Sequence, residues 1–188
     1  MSTDTIHFND PLDEPGTSHW LRDFVRESNQ IENIKDTIGA DIQAHQHLLD
    51  LPRIRVPDLA MFVRTVTRDH VLRDKVGLDV RVGNHFPPPG GSEIRTHLHA
   101  LLFTLDARSP FETHLQYEAL HPFTDGNGRS GRALWLWQMM VSNLHSRREQ
   151  VQQKGFLDVF MAQAIRAGHD LFVPKRGLYF SVLDQASK

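Results

Sequence analysis

One run of twelve residues concentrates side chains suited to phosphate chemistry: His121-Pro122-Phe123-Thr124-Asp125-Gly126-Asn127-Gly128-Arg129-Ser130-Gly131-Arg132. His121 carries the side chain best placed to accept a proton near neutral pH. Asp125 is a single carboxylate beside a candidate phosphate nest, which is what Mg²⁺ usually takes from a protein when phosphates and water fill its other positions. Gly126 and Gly128 let an anion approach the backbone, and the second half of the run reads as a helix N-terminus, whose first amides lack intrahelical acceptors. Arg129 and Arg132 stand three apart, so both guanidiniums can serve one polyphosphate. Taken singly, each residue has a duller account: a glycine turn, an aspartate N-cap, a solvated basic face, a structural histidine. Together they make a coherent site for phosphate transfer.

The elements that must position this run are helical. Ser109-Pro110-Phe111-Glu112 is a capping box with proline in the first turn, and predicts a helix to about Leu120 that leads into the run. Ala133 to Met140, directly after it, is apolar on nearly every side and is expected to be the buried central helix of a bundle. Pro57 and Asp58 open another helix, with Leu59, Phe62, Val63 and Val66 on one face. A further helix follows Ser92, its apolar face formed by Ile94, Leu98, Leu101, Leu102 and Leu105. A later one is expected from Phe156 to about Ala167. The one β signal is Leu78 to Phe86, where Val80 and Val82 alternate with polar residues and Gly83-Asn84 suits a two-residue hairpin turn. Pro87-Pro88-Pro89 ends it. The expected fold is all-α, with one small hairpin.

Composition narrows the classes. The chain has 188 residues, 39% of them hydrophobic, which fits one domain with a sizeable core. Residues 1–17 read as a flexible lead-in and 18–188 as a single domain. Lys and Arg number 21 against 23 Asp and Glu, so no basic field draws nucleic acid or a membrane surface, and phosphate binding must be local. With no cysteine, thiolate catalysis and Cys-ligated zinc are excluded. The pairs His45/His47 and His97/His99 lie in helical stretches, where i and i+2 face apart, so they read poorly as metal sites. The motif Gly126-x-Gly128-x-x-Gly131 matches a dinucleotide fingerprint, but a helix precedes it and no βαβ pattern surrounds it. With no apolar run of signal or membrane-span length, a cytoplasmic protein is expected.

The run from His121 to Arg132 resembles the motif of the Fic (filamentation-induced-by-cAMP) family, H-x-F-x-[DE]-G-N-G-R-x-x-R, with every defined position matched. The helical layout and the hairpin upstream are similar to that family from about Trp20 onward. The resemblance implies a Mg²⁺-dependent transferase moving AMP from ATP to a Ser, Thr or Tyr hydroxyl of a target protein, with auto-modification as a possible side reaction. It implies His121 as the base, Asp125 as the Mg²⁺ ligand, Gly126, Asn127 and Gly128 as the anion hole, Arg129 on the phosphates and Arg132 on the γ-phosphate. Phe123 would be a core anchor. Val82, Gly83, Asn84 and His85 are similar to the tip of a flap that pairs with the target's backbone and touches nucleotide. No residue is carried over for the adenine pocket.

Upstream, Ser28-Asn29-Gln30-Ile31-Glu32-Asn33 resembles the family's inhibitory motif, [ST]-x-x-x-E-[GN]. An inhibitory helix is expected near 28–38, with Ser28, Glu32 and Asn33 as its signature. Glu32 would pair with Arg132 and deprive the γ-phosphate of its partner. If desolvated, such a pair costs ~3–5 kcal/mol to break from one side. Two other activities fit the same residues: removal of AMP, or transfer of another phosphate-containing group. A nucleotide-sensing module without turnover is the alternative of a different class, although binding alone does not require the base.

Overall fold

Every described element but one short 3₁₀ turn is an α-helix. The computed structural model describes residues 19–68 and 70–146. They form α1 (His19–Ile31), α2 (Gly39–Asp50), α3 (Val56–Thr67), α4 (Ser92–Phe103), a 3₁₀ turn (Leu105–Ala107), α5 (Pro110–Leu120) and α6 (Asn127–Ser146). The helix expected at 156–167 lies outside the described residues. None of the described helices is long and apolar enough to cross a membrane.

Local chemistry accounts for the helix starts. Ser109 Oγ accepts from the Glu112 amide at 3.2 Å, and the Glu112 carboxylate accepts in return from the Ser109 amide at 3.1 Å, so α5 begins on the expected capping box. α3 begins with Pro57 in its first turn, and the Asp58 carboxylate accepts from the Arg55 amide. The expected inner face of α3, Leu59, Phe62, Val63 and Val66, is buried, as are Ile94, Leu98, Leu101 and Leu102 of α4. Leu105 is buried too, but on the 3₁₀ turn beyond α4.

α6 packs against α1, α2, α3 and α5. Residues 129–138 of it are buried without a break. Ala133, Leu134 and Trp137 join the core formed with α2 to α5, while Trp135 and Leu136 join a second cluster with Leu21, Phe24 and Val25 of α1. Two polar side chains in this stretch donate to main-chain carbonyls at the ends of neighbouring helical turns: Trp137 Nε1 to Leu51 O and Gln138 Nε2 to Leu105 O.

The segment expected as a hairpin has its turn but not its ladder. Val82 and His85 exchange both backbone hydrogen bonds, at 3.1 and 2.9 Å, around Gly83, whose φ of 59° suits the first central position of a tight hairpin turn. Beyond this one bridge the segment has no strand. The prolines from 87 to 89 and the lack of a neighbouring strand leave nothing to extend it.

α1 also differs from expectation. It stops at Ile31 instead of running on to residue 38. Asn33 has φ 61°, the Asn33 amide bonds Gln30 O and the Ile34 amide bonds Asn29 O, the paired closure of a Schellman motif. The sequence supplies the cause, because Asn tolerates the left-handed conformation that ends a helix.

Candidate active site

α5 delivers His121 to the mouth of the loop. His121 is the C-cap of α5, left-handed at φ 47°, with its amide on Tyr117 O. The imidazole is mostly buried, its Nδ1 turned inward 3.8 Å from Glu118 Oε2. Burial, then the positive charge of Arg73, then His85, pull its pKa down to about 4, against smaller upward effects of the Glu118 backbone and Asp125. At neutral pH it is therefore an uncharged imidazole, able to accept a proton.

The loop from 122 to 126 is pinned by its own main chain. Phe123 is fully buried, as expected of an anchor. It forms a bridge with Leu72, and Thr124 N donates to Val71 O at 3.0 Å. The Asn127 side chain then clamps Phe123 from both sides: its Oδ1 accepts from Phe123 N at 2.9 Å and its Nδ2 donates to Phe123 O at 2.8 Å. The amide expected to face an anion is thus spent on holding the loop, leaving Asn127 only its backbone N–H for that role. Gly126 is left-handed at φ 77°, and a Cβ there would collide with Thr67.

At the first turn of α6 lies an anion, and it belongs to the chain itself. Glu32 Oε1 fills the space where a Cβ of residue 128 would stand, so only glycine permits the approach. The same oxygen accepts from Arg132 Nη2 at 2.7 Å. Arg132 is held further by Ser28, with Nε on Ser28 Oγ and Nη2 on Ser28 O, both at 2.9 Å. The buried face of α1 explains the arrangement. Leu21, Phe24 and Val25 are buried as apolar residues, and one turn later the same face presents buried Ser28 and Asn29. Asn29 Nδ2 donates to Asp41 Oδ2 at 3.0 Å, which ties this end of α1 to α2. Glu32 keeps 37% of its side chain exposed. The pair is only partly desolvated and is worth on the order of 1–2 kcal/mol, less than a fully buried pair would be.

Arg129 and Arg132 do not share partners. Arg129 is buried and its Nη1 donates to Val66 O, among the last carbonyls of α3, while its buried Nε has no hydrogen-bond partner among the described residues. Asp125 is 57% exposed, with His70 Nε2 3.5 Å away. No group of three or more potential metal-ligating side chains occurs among the described residues. A lone, accessible carboxylate beside an anion-accepting helix start fits a Mg²⁺ whose other ligands come from phosphate and water.

Of the four residues expected at a flap tip, Val82, Gly83 and Asn84 are at the surface, but His85 is not. It is buried beneath the turn, with Nε2 3.1 Å from Ala119 O at the end of α5. That carbonyl has no acceptor role left within the helix, and the imidazole supplies one outside it. Two contributors escaped the reading of the sequence. His70 reaches both Asp125 and Thr124, and Arg73 is wholly buried with its guanidinium on main-chain carbonyls around His121. The family model described as Fic/DOC family matches residues 30–139, which hold every residue of this site except Ser28 and Asn29.

Proposed function

This chain belongs to the Fic/DOC family, and from that premise we propose that it is an autoinhibited protein adenylyltransferase, moving AMP from ATP to a Ser, Thr or Tyr hydroxyl. The reading rests on one observation above all: a carboxylate of the chain sits over Gly128 on Arg132, so this helix start already accepts an anion with the uncharged His121 at the far end of the same loop. In the reaction, the target hydroxyl gives its proton to His121, its oxygen bonds the α-phosphorus, and the bond to the bridging oxygen breaks as pyrophosphate leaves. With Nδ1 turned inward to Glu118, Nε2 is the nitrogen for that proton. The first amides of α6 and the guanidinium of Arg132 bear the charge of the phosphates. Mg²⁺ held by Asp125 would neutralise phosphate charge.

Inhibition follows from the same contacts. While Glu32 holds Arg132, the γ-phosphate lacks its partner and the α-phosphorus is poorly aligned for attack. Removing Glu32 frees one donor without releasing the guanidinium, because Ser28 still holds Nε and Nη2. The test is labelled AMP incorporation, into the protein itself and into a cell lysate, by the wild type, Glu32→Gly and Glu32→Gly/Arg132→Ala at one ATP and Mg²⁺ concentration. A gain of ~10²-fold is expected for Glu32→Gly, and no activity for the double variant. A Glu32→Gly protein no faster than the wild type overturns the inhibitory role. Loss of label from a modified target, fastest in the wild type, assigns AMP removal instead.

A further inference from the structure

Arg73 spends a fully buried guanidinium on main-chain carbonyls from two distant segments. Its Nε donates to His121 O at 2.7 Å and Nη2 to Leu120 O at 3.0 Å. Its Nη1 donates to Leu78 O at 3.2 Å and to Pro88 O at 3.0 Å. The first two carbonyls close α5 at His121. The other two stand on either side of the loop that carries Val82 to His85. The backbone of Arg73 is joined to the same two places, with its amide on Pro122 O at 2.8 Å and its carbonyl accepting from Gly91 N at 2.9 Å. Only a flat fork of donors spans such a set, which a lysine cannot do.

We propose that Arg73 is the positioning residue that couples the 78–90 loop to His121, so that a displacement of the loop is passed to the base. The inference rests on His121 being the base, as proposed above.

Three observations support transmission rather than simple bracing. First, His121 is held left-handed at φ 47°, a conformation costing a non-glycine residue ~1 kcal/mol and kept only where neighbours over-determine it. Arg73 grips the carbonyl of that residue. Second, the roots of the loop are drawn tight at the same point. Gly90 N donates to Asp79 Oδ1 at 2.8 Å, and a Cβ on Gly90 would stand 2.7 Å from Lys75 O and 2.8 Å from Leu78 O. Third, the loop is not packed solid against its surroundings: apart from the His85 contact to Ala119 O, an open pocket of about 640 Å³ lies beside it, walled by Val80, His85, Phe86 and Ala119. The charge of Arg73 matters as well as its shape. With His85, Glu118 and Asp125 it makes up the charged and titratable surroundings of His121, and it opposes protonation there.

The test uses the full chain without nucleotide and separates shape from charge. His121 is followed by histidine NMR titration, with assignment by His121→Ala, and loop and base by amide exchange at 78–90 and 121–124. Arg73→Lys keeps the charge and loses the four-carbonyl span. It should leave the His121 midpoint near about 4 while amide exchange at both segments quickens at least ~10-fold. Arg73→Met removes the charge, and the midpoint should rise by about one pH unit or more. Gly90→Ala disturbs only the loop root, and should quicken exchange at 121–124 as well as at 78–90. The proposal falls if Gly90→Ala leaves 121–124 as protected as in the wild type, or if Arg73→Lys loosens one segment alone. Should Arg73→Met not fold, the other two variants decide. In a Glu32→Gly background, Arg73→Lys should lower kcat with KM for ATP within two- to threefold. If His121→Ala leaves AMP transfer intact, the assignment of the base fails while the measured coupling stands.

Discussion

The two ends of the site are built to different standards of permanence. The base end, from Tyr117 to Asn127, is fastened to the body of the protein by buried groups bonding main-chain atoms. Asn127 holds both polar atoms of Phe123, Arg73 holds the carbonyls of Leu120 and His121, and Phe123 is fully buried. The opposing end, the last turn of α1, holds Arg132 through the hydroxyl and carbonyl of buried Ser28, but its one carboxylate on Arg132, Glu32, remains 37% exposed. Buried hydrogen bonds to the backbone are costly to undo, whereas a part-exposed ion pair exchanges readily with water or another anion. The contrast fits the proposed autoinhibition, which needs reacting groups that stay in place and an inhibitory carboxylate that can leave. Each experiment below either breaks that contrast or sharpens it.

The largest effect is expected from acid, and it should fall on three buried imidazoles, of which one, His121, belongs to the fixed end. His114 and His121 on α5, and His45 on α2 beside the rings of Phe24 and Phe62, are buried and uncharged. Burial, above all, lowers their pKa values from 6.5 to about 3, about 4 and about 4 respectively. In the unfolded chain each takes a proton near pH 6.5, so above that pH they leave stability unchanged. As pH falls from 6.5 towards 4 the unfolded state binds protons that the native state refuses. At pH 5 the loss is about 2 kcal/mol for each imidazole and about 6 kcal/mol in all. Asp41, whose pKa burial raises, acts in the opposite direction as pH falls. Urea unfolding at pH 7 and pH 5 measures the difference, and equal stability at the two would mean that these imidazoles are not buried as described.

Next in size is the loss of the proposed base. In a Glu32→Gly background, His121→Ala should reduce AMP incorporation ~10³-fold or more while ATP affinity stays within a few-fold, because the imidazole acts on the incoming hydroxyl. An equal loss of nucleotide binding would make His121 a structural residue. Below that stands Asn127→Ala, which strands the amide and carbonyl of Phe123 in the core and should cost about 2–3 kcal/mol in urea denaturation. Glu32→Ala should cost less, about 1–2 kcal/mol in the same assay. Equal costs would erase the distinction between the fixed and the releasable end.

How much of this was legible in the sequence depended on the range of the interaction. The capping box at Ser109 and Glu112, the start of α3 at Pro57 and the apolar faces of α3 and α4 are set by residues within a turn or two, and the sequence displays them. The loop residues were recognisable because their types and spacing are unusual together. Arg73 was not, since its four carbonyls lie 5 to 48 positions away along the chain and no local pattern marks a lone arginine as buried. His85 misled for the same reason: its partner is the end of α5, 34 positions on. The side chain of Asn127 had a local partner four residues back, but an asparagine in a glycine-rich loop has too many possible partners for the sequence to select one. Asn33 did carry a signal. A motif ending in Gly or Asn names the two residues that most readily turn left-handed, and so announces the end of α1 rather than the middle of a longer helix.

The smallest effect separates the two arginines of α6, which the sequence presents as equals. Arg132 stands on Ser28 and Glu32, where displacing the carboxylate opens a place for phosphate. Arg129 stands on Val66 O, with only its Nε left over in a buried position. If that nitrogen and its charge serve the distal phosphates, Arg129→Ala should weaken ATP about 10-fold more than AMP, because AMP lacks the groups concerned. The residue also closes the end of α3, so the variant is expected to lose stability too, and both nucleotides should be titrated calorimetrically at a temperature where it is fully folded. Measuring ATP against AMP within one variant cancels that loss. A Glu32→Gly background keeps the carboxylate from competing with either nucleotide. Equal weakening of ATP and AMP would make Arg129 a tie between α3 and α6 and leave Arg132 as the arginine of the distal phosphates.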